Sequence, residues 1–166
     1  QIYTLALRDV LRIGLVKEIM NRTVRTVSPD TSLLEVSSTM CLYRFSGLPV
    51  VDEDRLVGFI AEKDVLHRLF PSLEEFMEGA AALRDDDIHA RYREMVQKKA
   101  ADLMVHNVVT VSPEMHVLRA AALMARNHFR RIPVAEGDTL VGMLSLGDIH
   151  KAIFHSSVAK VNCTAA

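Results

Sequence analysis

The chain has 166 residues, 49% of them hydrophobic and 25% charged, with a formal net charge of −1. That balance suits a globular fold, excludes a disordered chain, and leaves no overall positive field to hold DNA or RNA. Cys41 and Cys163 stand far apart with no C-x-x-C pair, so neither a disulfide scaffold nor a zinc knuckle is expected, and a reducing, cytoplasmic setting fits.

In chain order, residues 1–15 carry Leu5, Leu11 and Leu15, which suggest a short helix bracing the rest of the chain. Arg8, Asp9 and Arg12 interrupt its apolar stretches, so it is not a signal-peptide core, and no run in the chain approaches the length of a membrane span. A first residue of Gln in place of Met is what a piece trimmed or excised from a longer polypeptide would show.

From residue 16 the chain repeats itself. A shift of 84 positions places Met20 on Met104, Val27-Ser28-Pro29 on Val111-Ser112-Pro113, and Pro49-Val50 on Pro133-Val134. It also pairs Leu56-Val57-Gly58 with Leu140-Val141-Gly142, and Asp64 with Asp148, with no gap between residues 16 and 70. Four of the five prolines fall into matched pairs, so the duplication organises the fold.

Each copy reads as β-α-β-β-α. A β-branched run (24–27, and 108–111) is expected as a strand stopped by Ser-Pro. A helix comes next, opened in the first copy by the capping box Ser32-x-x-Glu35, with Leu33, Val36, Met40 and Tyr43 at helical spacing. Val117, Ala121, Met124 and His128 form a similar stripe at helical spacing in the second copy, and Cys41 reads as an inert core thiol. Two strands succeed the helix, 48–51 and 56–60, then 132–135 and 140–144, joined by turn residues. A second helix closes each unit, 62–69 and 146–154. The strands are apolar on both faces, so each small sheet needs cover on both sides, and the other copy is the obvious cover. A unit of about 55 residues is marginal alone, which explains why it occurs twice.

The expected domains are therefore a helical segment 1–15, a first repeat 16–70, a connector 71–99, a second repeat 100–155 and a tail 156–166. In the connector, Leu73, Phe76 and Met77 suggest one short helix, and Ile88, Tyr92, Met95 and Val96 an amphipathic second one. Asp85-Asp86-Asp87 fits carboxylates opposing a helix dipole better than a cation site.

The stretch richest in chemistry is Gly142-Met143-Leu144-Ser145-Leu146-Gly147-Asp148, where a strand gives way to a helix. Ser145-x-x-Asp148 reads as a capping box, or as a hydroxyl and carboxylate presented to a ligand. The first copy has Ala61 in place of Ser145 yet keeps Asp64, an acid without its capping hydroxyl. The seven histidines form no H-x-x-x-H or H-E-x-x-H, and no phosphate-binding glycine loop occurs, so no catalytic or metal set is expected.

The β-α-β-β-α repeat, the Met followed by V-x-T-V-S-P, the hydrophobic-Pro-Val strand and the closing G-x-x-S-x-x-D resemble a tandem cystathionine β-synthase (CBS) domain pair, or Bateman module. The resemblance implies an α/β fold of α+β type, with two CBS repeats packed sheet to sheet about a pseudo-twofold axis. It implies a non-catalytic regulatory module that needs no cofactor and binds AMP, ADP, ATP or S-adenosylmethionine between its repeats. It also implies a homodimer that switches an attached or associated enzyme or transporter.

Position by position, the resemblance makes Asp148 and Asp64 ribose binders, as a carboxylate accepts two hydroxyl bonds. Ser145 adds a hydroxyl contact. The base falls among Val109, Thr110, Ile132 and Pro133 in the second copy, and among Arg25, Thr26, Leu48 and Pro49 in the first. Arg130 and Arg131 suit phosphate oxygens, or form a solvated basic loop. Ala61 departs from the family's Ser or Thr and leaves the first site less well equipped. The rival reading is a CBS-type structural or dimerisation module with degenerate clefts.

Overall fold

The computed structural model describes residues 14–70 and 84–163. In chain order the helices and strands are α1 (Val16–Ile19), α2 (Leu33–Tyr43), β1 (Gly47–Asp52), β2 (Arg55–Ala61), α3 (Glu62–Leu69), α4 (Asp85–Met95), a 3-10 turn (Ala100–Asp102), α5 (Val117–Arg126), β3 (Arg131–Glu136), β4 (Thr139–Ser145) and α6 (Leu146–Cys163). The fold is α+β, and it condenses into two compact units. A first unit holds residues 25–70 and 84–108; a second holds 14–24 together with 109–163. The sequence clues for a helix in 1–15 and another at Leu73, Phe76 and Met77 lie outside the described residues, apart from Leu15.

Repeats and units are cut differently, because the opening segment of each repeat joins the hairpin of the other. In the second unit the Asn21 N–H donates to the Met143 carbonyl and the Met143 N–H to that of Asn21, each at 2.9 Å. In the first unit Phe59 and Val105 exchange the equivalent pair at 3.0 and 2.9 Å. This exchange explains the glycine in each Leu-Val-Gly. A Cβ on Gly58 would lie 2.5 Å from Met104 Sδ, and one on Gly142 would lie 2.7 Å from Met20 Sδ. The incoming methionine of one repeat thus packs onto a bare backbone in the other.

Both hairpins share one pattern. Glu53 and Asp54 link β1 to β2 with φ of 47° and 70°, as a type I′ turn demands; Gly137 supplies a φ of 59° in the second hairpin. The register slips once in each, between Val50 and Val51 and between Val134 and Ala135. Beyond the slip Leu48, Val50 and Ile60 point into one core, and Ile132, Val134 and Leu144 into the other, each at most 1% exposed.

The expected opening strands shrink to single parallel bridges, Val27 to Val50 and Val111 to Val134. In the first copy the run is pinched between two turns closed by side chains. Thr23 N–H donates to Asn21 Oδ1 at 2.9 Å, and Ser28 N–H to Thr31 Oγ1 at 3.0 Å. One residue is left to pair.

The Ser32 hydroxyl caps α2 by accepting the Glu35 N–H at 3.2 Å, as its sequence requires. Leu33, Val36, Ser37 and Met40 form the buried stripe. Cys41 is exposed, contrary to the expected core thiol, because one residue beyond Met40 turns about 100° around the helix. Tyr43 is also exposed, at 48%, and His128 leaves its helix altogether. Arg44 and His128 are equivalent residues in left-handed backbone, φ 54° and 55°, that end α2 and α5. In each case the next amide, Phe45 or Phe129, returns to the carbonyl of Met40 or Met124.

The aspartate run forms the first turn of α4, at the positive end of the helix dipole. Ile88 and Tyr92 are half-buried and Met95 and Val96 buried, as the spacing predicts. Among the described residues no helix is long and apolar enough to cross a membrane.

Candidate functional site

Three elements meet where β4 ends and α6 begins. Antiparallel pairing sets Arg131 directly opposite Ser145, which brings their Cβ atoms within about 5.5 Å. The first amide of α6, Leu146 N–H, donates to the Arg130 carbonyl at 3.1 Å. Arg130 and Arg131 are therefore fixed beside Ser145 and Asp148. By strand alternation Arg131, Pro133, Met143 and Ser145 share the face opposite to the core residues Ile132 and Leu144.

Ser145 and Asp148 form a complete reciprocal cap. Asp148 Oδ2 accepts the Ser145 N–H at 2.9 Å and the Ser145 hydroxyl at 2.6 Å, while the Asp148 N–H donates to Ser145 Oγ at 3.1 Å. The capping reading of this motif is thus realised. It leaves the carboxylate half used: Oδ1 takes no hydrogen bond among the described residues. Both side chains are partly buried, so the cap holds Oδ1 in a fixed position at a solvent-accessible corner. A carboxylate oxygen held this way can accept from hydroxyls without losing the side-chain entropy that a free Asp would lose.

The first unit builds the same corner with fewer groups. Ala61 N–H donates to Asp64 Oδ2 at 2.9 Å, so Asp64 caps its helix even without a hydroxyl partner, and that cap suffices to explain its presence. Glu62 N–H donates to the Ser46 carbonyl at 2.9 Å, and Gly47 stands opposite Ala61. Ser46 and Gly47 hold the places of Arg130 and Arg131. The space for a cation is also filled, since a Cβ on Gly47 would meet the Phe59 ring at 2.6 Å. Met143, equivalent to Phe59, leaves room for Arg131.

The remaining expected residues divide. Val109 is 39% exposed and Thr110 half-buried, next to Val111, whose N–H donates to the Pro133 carbonyl at 3.1 Å. Ile132 and Leu48 lie in their cores at 0 and 1% exposure, so their side chains cannot line a slot and only their backbone is available. Pro133 and Pro49 are buried, and Thr26 is exposed. The Arg25 guanidinium sits 3.8 Å over the Tyr43 ring, which stacks on Phe45 at 5.9 Å between centroids. Arg25 thereby has a packing role that its sequence gives no sign of. Among the described residues no three His, Cys, Asp or Glu side chains gather to hold a metal ion.

Comparison with known proteins points one way. The CBS domain profile matches residues 16–71 and 100–155. Protein MJ1426 of Methanocaldococcus jannaschii is 29% identical over 155 residues, which cover 85% of this chain and 92% of that protein. Among solved structures, MJ1225 of the same organism superposes with a TM-score of 0.72 at 25% identity, covering 91% of this chain and 52% of its own. CBSX2, solved in complex with AMP, gives 0.67 at 25% identity, covering 86% of this chain and 97% of its own. Two matched segments on one duplicated fold make this chain a member of the CBS-domain family, carrying its domains as a tandem pair.

Proposed function

We propose that the chain is a non-catalytic regulatory module that binds an adenosine-type ligand, AMP, ADP, ATP or S-adenosylmethionine, at the Ser145–Asp148 corner. The observation that carries this is the half-used carboxylate of Asp148, its Oδ1 open while Oδ2 is held by the cap, with Arg130 and Arg131 fixed alongside. Oδ1 accepts the ribose hydroxyls, Ser145 adds a polar contact, and the two arginines receive phosphate oxygens. Val109, Thr110 and the backbone at Ile132 and Pro133 form the side on which the base rests. The AMP complex of CBSX2 supports the choice of ligand class.

The Asp64 corner is a weak second site, with Thr26, Leu48 backbone and Pro49 nearby and no basic pair. Its Ala61 and the Phe59 ring over Gly47 favour a purely structural role for that copy. Ligand binding acts by differential affinity for two conformations of the module, and so biases an attached or associated enzyme or transporter. The module works in the cytoplasm as a homodimer and needs no cofactor for chemistry. Calorimetric and thermal-shift titration with AMP, ADP, ATP, S-adenosylmethionine and NADH tests the reading. Saturable heat with an adenosine-type ligand is expected; no response to any of the five overturns it in favour of a module with degenerate clefts.

A further inference from the structure

A cavity of about 410 Å³ opens in the first unit, and neither Asp64 nor any other residue of the nucleotide corner lines it. Leu33, Met95 and Leu103 form its floor. Leu33 and Met95 are buried core residues, 1 and 6% exposed. Arg68, from the last turn of α3, and Arg91 and Lys98, from α4 and the turn after it, stand around the opening. All three are exposed, and none has an ion pair or side-chain hydrogen bond among the described residues.

The walls are fixed by backbone rather than by the charges. Lys98 N–H donates to the Met95 carbonyl at 3.0 Å, and the Lys98 carbonyl accepts the Leu33 N–H at 2.8 Å. The adjacent Lys99 is committed elsewhere, to Asp30 at 2.6 Å. Two carboxylates also line the cavity. Asp102 Oδ2 is taken by the Lys99 N–H at 2.8 Å, while Glu94 lines the cavity without an ion pair to Arg91 or Lys98. Three cationic side chains thus share the cavity with two carboxylates, a formal excess of one positive charge. That excess beside an apolar floor favours an anion. A cavity of this size, apolar below and polar at a few points above, matches the form of a small-molecule site.

We propose that this cavity is a second binding site, separate from the nucleotide corner, for a small organic phosphate whose apolar body rests on Leu33, Met95 and Leu103. Its phosphate is gripped by Arg68, Arg91 and Lys98, the arginine forks matching phosphate oxygens. Phenyl phosphate is the probe, titrated into the whole 15N-labelled chain beside phenol and inorganic phosphate. Phenyl phosphate should shift amides around Arg91, Met95 and Leu103 and bind more tightly than either fragment. Arg91→Gln with Lys98→Gln should weaken it at least tenfold, equivalent to about 1.4 kcal/mol, and Asp148→Asn should leave it unchanged. Because both substituted side chains are exposed, an unchanged melting curve separates lost binding from lost folding. Rising salt should weaken binding to the unsubstituted chain, an arm that needs no variant. Equal binding of phenol, undiminished binding by the double variant, insensitivity to salt, or shifts confined to the Ser145–Asp148 corner would each overturn the assignment.

Discussion

Replacing Ser145 by Ala removes two of the three hydrogen bonds between Ser145 and Asp148, the 2.6 Å bond to Asp148 Oδ2 and the 3.1 Å bond from the Asp148 N–H. The third, from the Ser145 backbone N–H to Asp148 Oδ2 at 2.9 Å, does not involve the hydroxyl and survives. What remains is the geometry the chain already contains at Ala61, whose N–H donates to Asp64 Oδ2 at 2.9 Å. The first unit therefore shows that the corner can form without the hydroxyl, and the loss should be that of one N-cap, about 1 kcal/mol. In a chain of this length that corresponds to a fall in melting temperature of about 2–4 °C. Urea denaturation gives the global number, and hydrogen exchange of the Asp148 amide gives the local one, since that N–H loses its acceptor. Ala61→Ser should do the opposite and slow exchange at Asp64. An Asp148 amide that exchanges no faster in Ser145→Ala, together with unchanged stability, would refute the reasoning.

Other consequences are independent of that cap. Gly58→Ala should cost about 1–3 kcal/mol by overpacking against Met104, and Met104→Ala should recover part of the loss in a double-mutant cycle; additivity would show that the close approach is not what the glycine serves. Asp30 and Lys99 pair at 2.6 Å on the surface, where the lysine's hydrogen bond and charge lower the Asp30 pKa and, reciprocally, Asp30 raises that of Lys99. Asp30's contribution is thus present above the ordinary carboxylate range and lost as pH falls through its depressed value; that of Lys99 is lost only above the ordinary lysine value. An NMR titration should find Asp30 below the usual carboxylate value in the parent and back at it in Lys99→Met. In a Cys163→Ser background, Cys41 should react with a thiol reagent in the native state, whereas reaction only in denaturant would return it to the core.

Much of the fold was legible in the residues. The 84-residue shift fixes the element order, because proline, glycine and apolar positions recur together and each has a structural reason to do so. The N-cap at Ser32 and the reciprocal cap at Ser145 were readable for the same reason, as they need only local spacing. What the sequence hid depends on register and on partners distant along the chain. Counting outward from the two-residue turn would set Ser145 opposite Arg130; the one-residue slip at Val134 and Ala135 moves it to Arg131 and decides which face each side chain takes. The same alternation sends Ile132 and Leu48 into the cores rather than toward a ligand. The exchange of opening segments gives Met20 and Met104 their glycine partners, and no local pattern announces it. Nor could spacing alone reveal that Asp64, lacking a hydroxyl partner, still has a backbone amide to accept.

In the proposed function the free oxygen of Asp148 binds ligand hydroxyls while its other oxygen caps the helix. Asp148→Asn separates those two roles: the amide oxygen can take over the cap from Oδ2, while the NH2 group replaces the acceptor Oδ1 with a donor. Titrating AMP calorimetrically into the parent, Asp148→Asn and Asp64→Asn is therefore the most direct test. The prediction is an affinity loss of at least about tenfold for Asp148→Asn, from the lost charged hydrogen bonds, with unchanged melting and little effect of Asp64→Asn. Parent-like AMP affinity in Asp148→Asn, or equal losses in both variants, would contradict it.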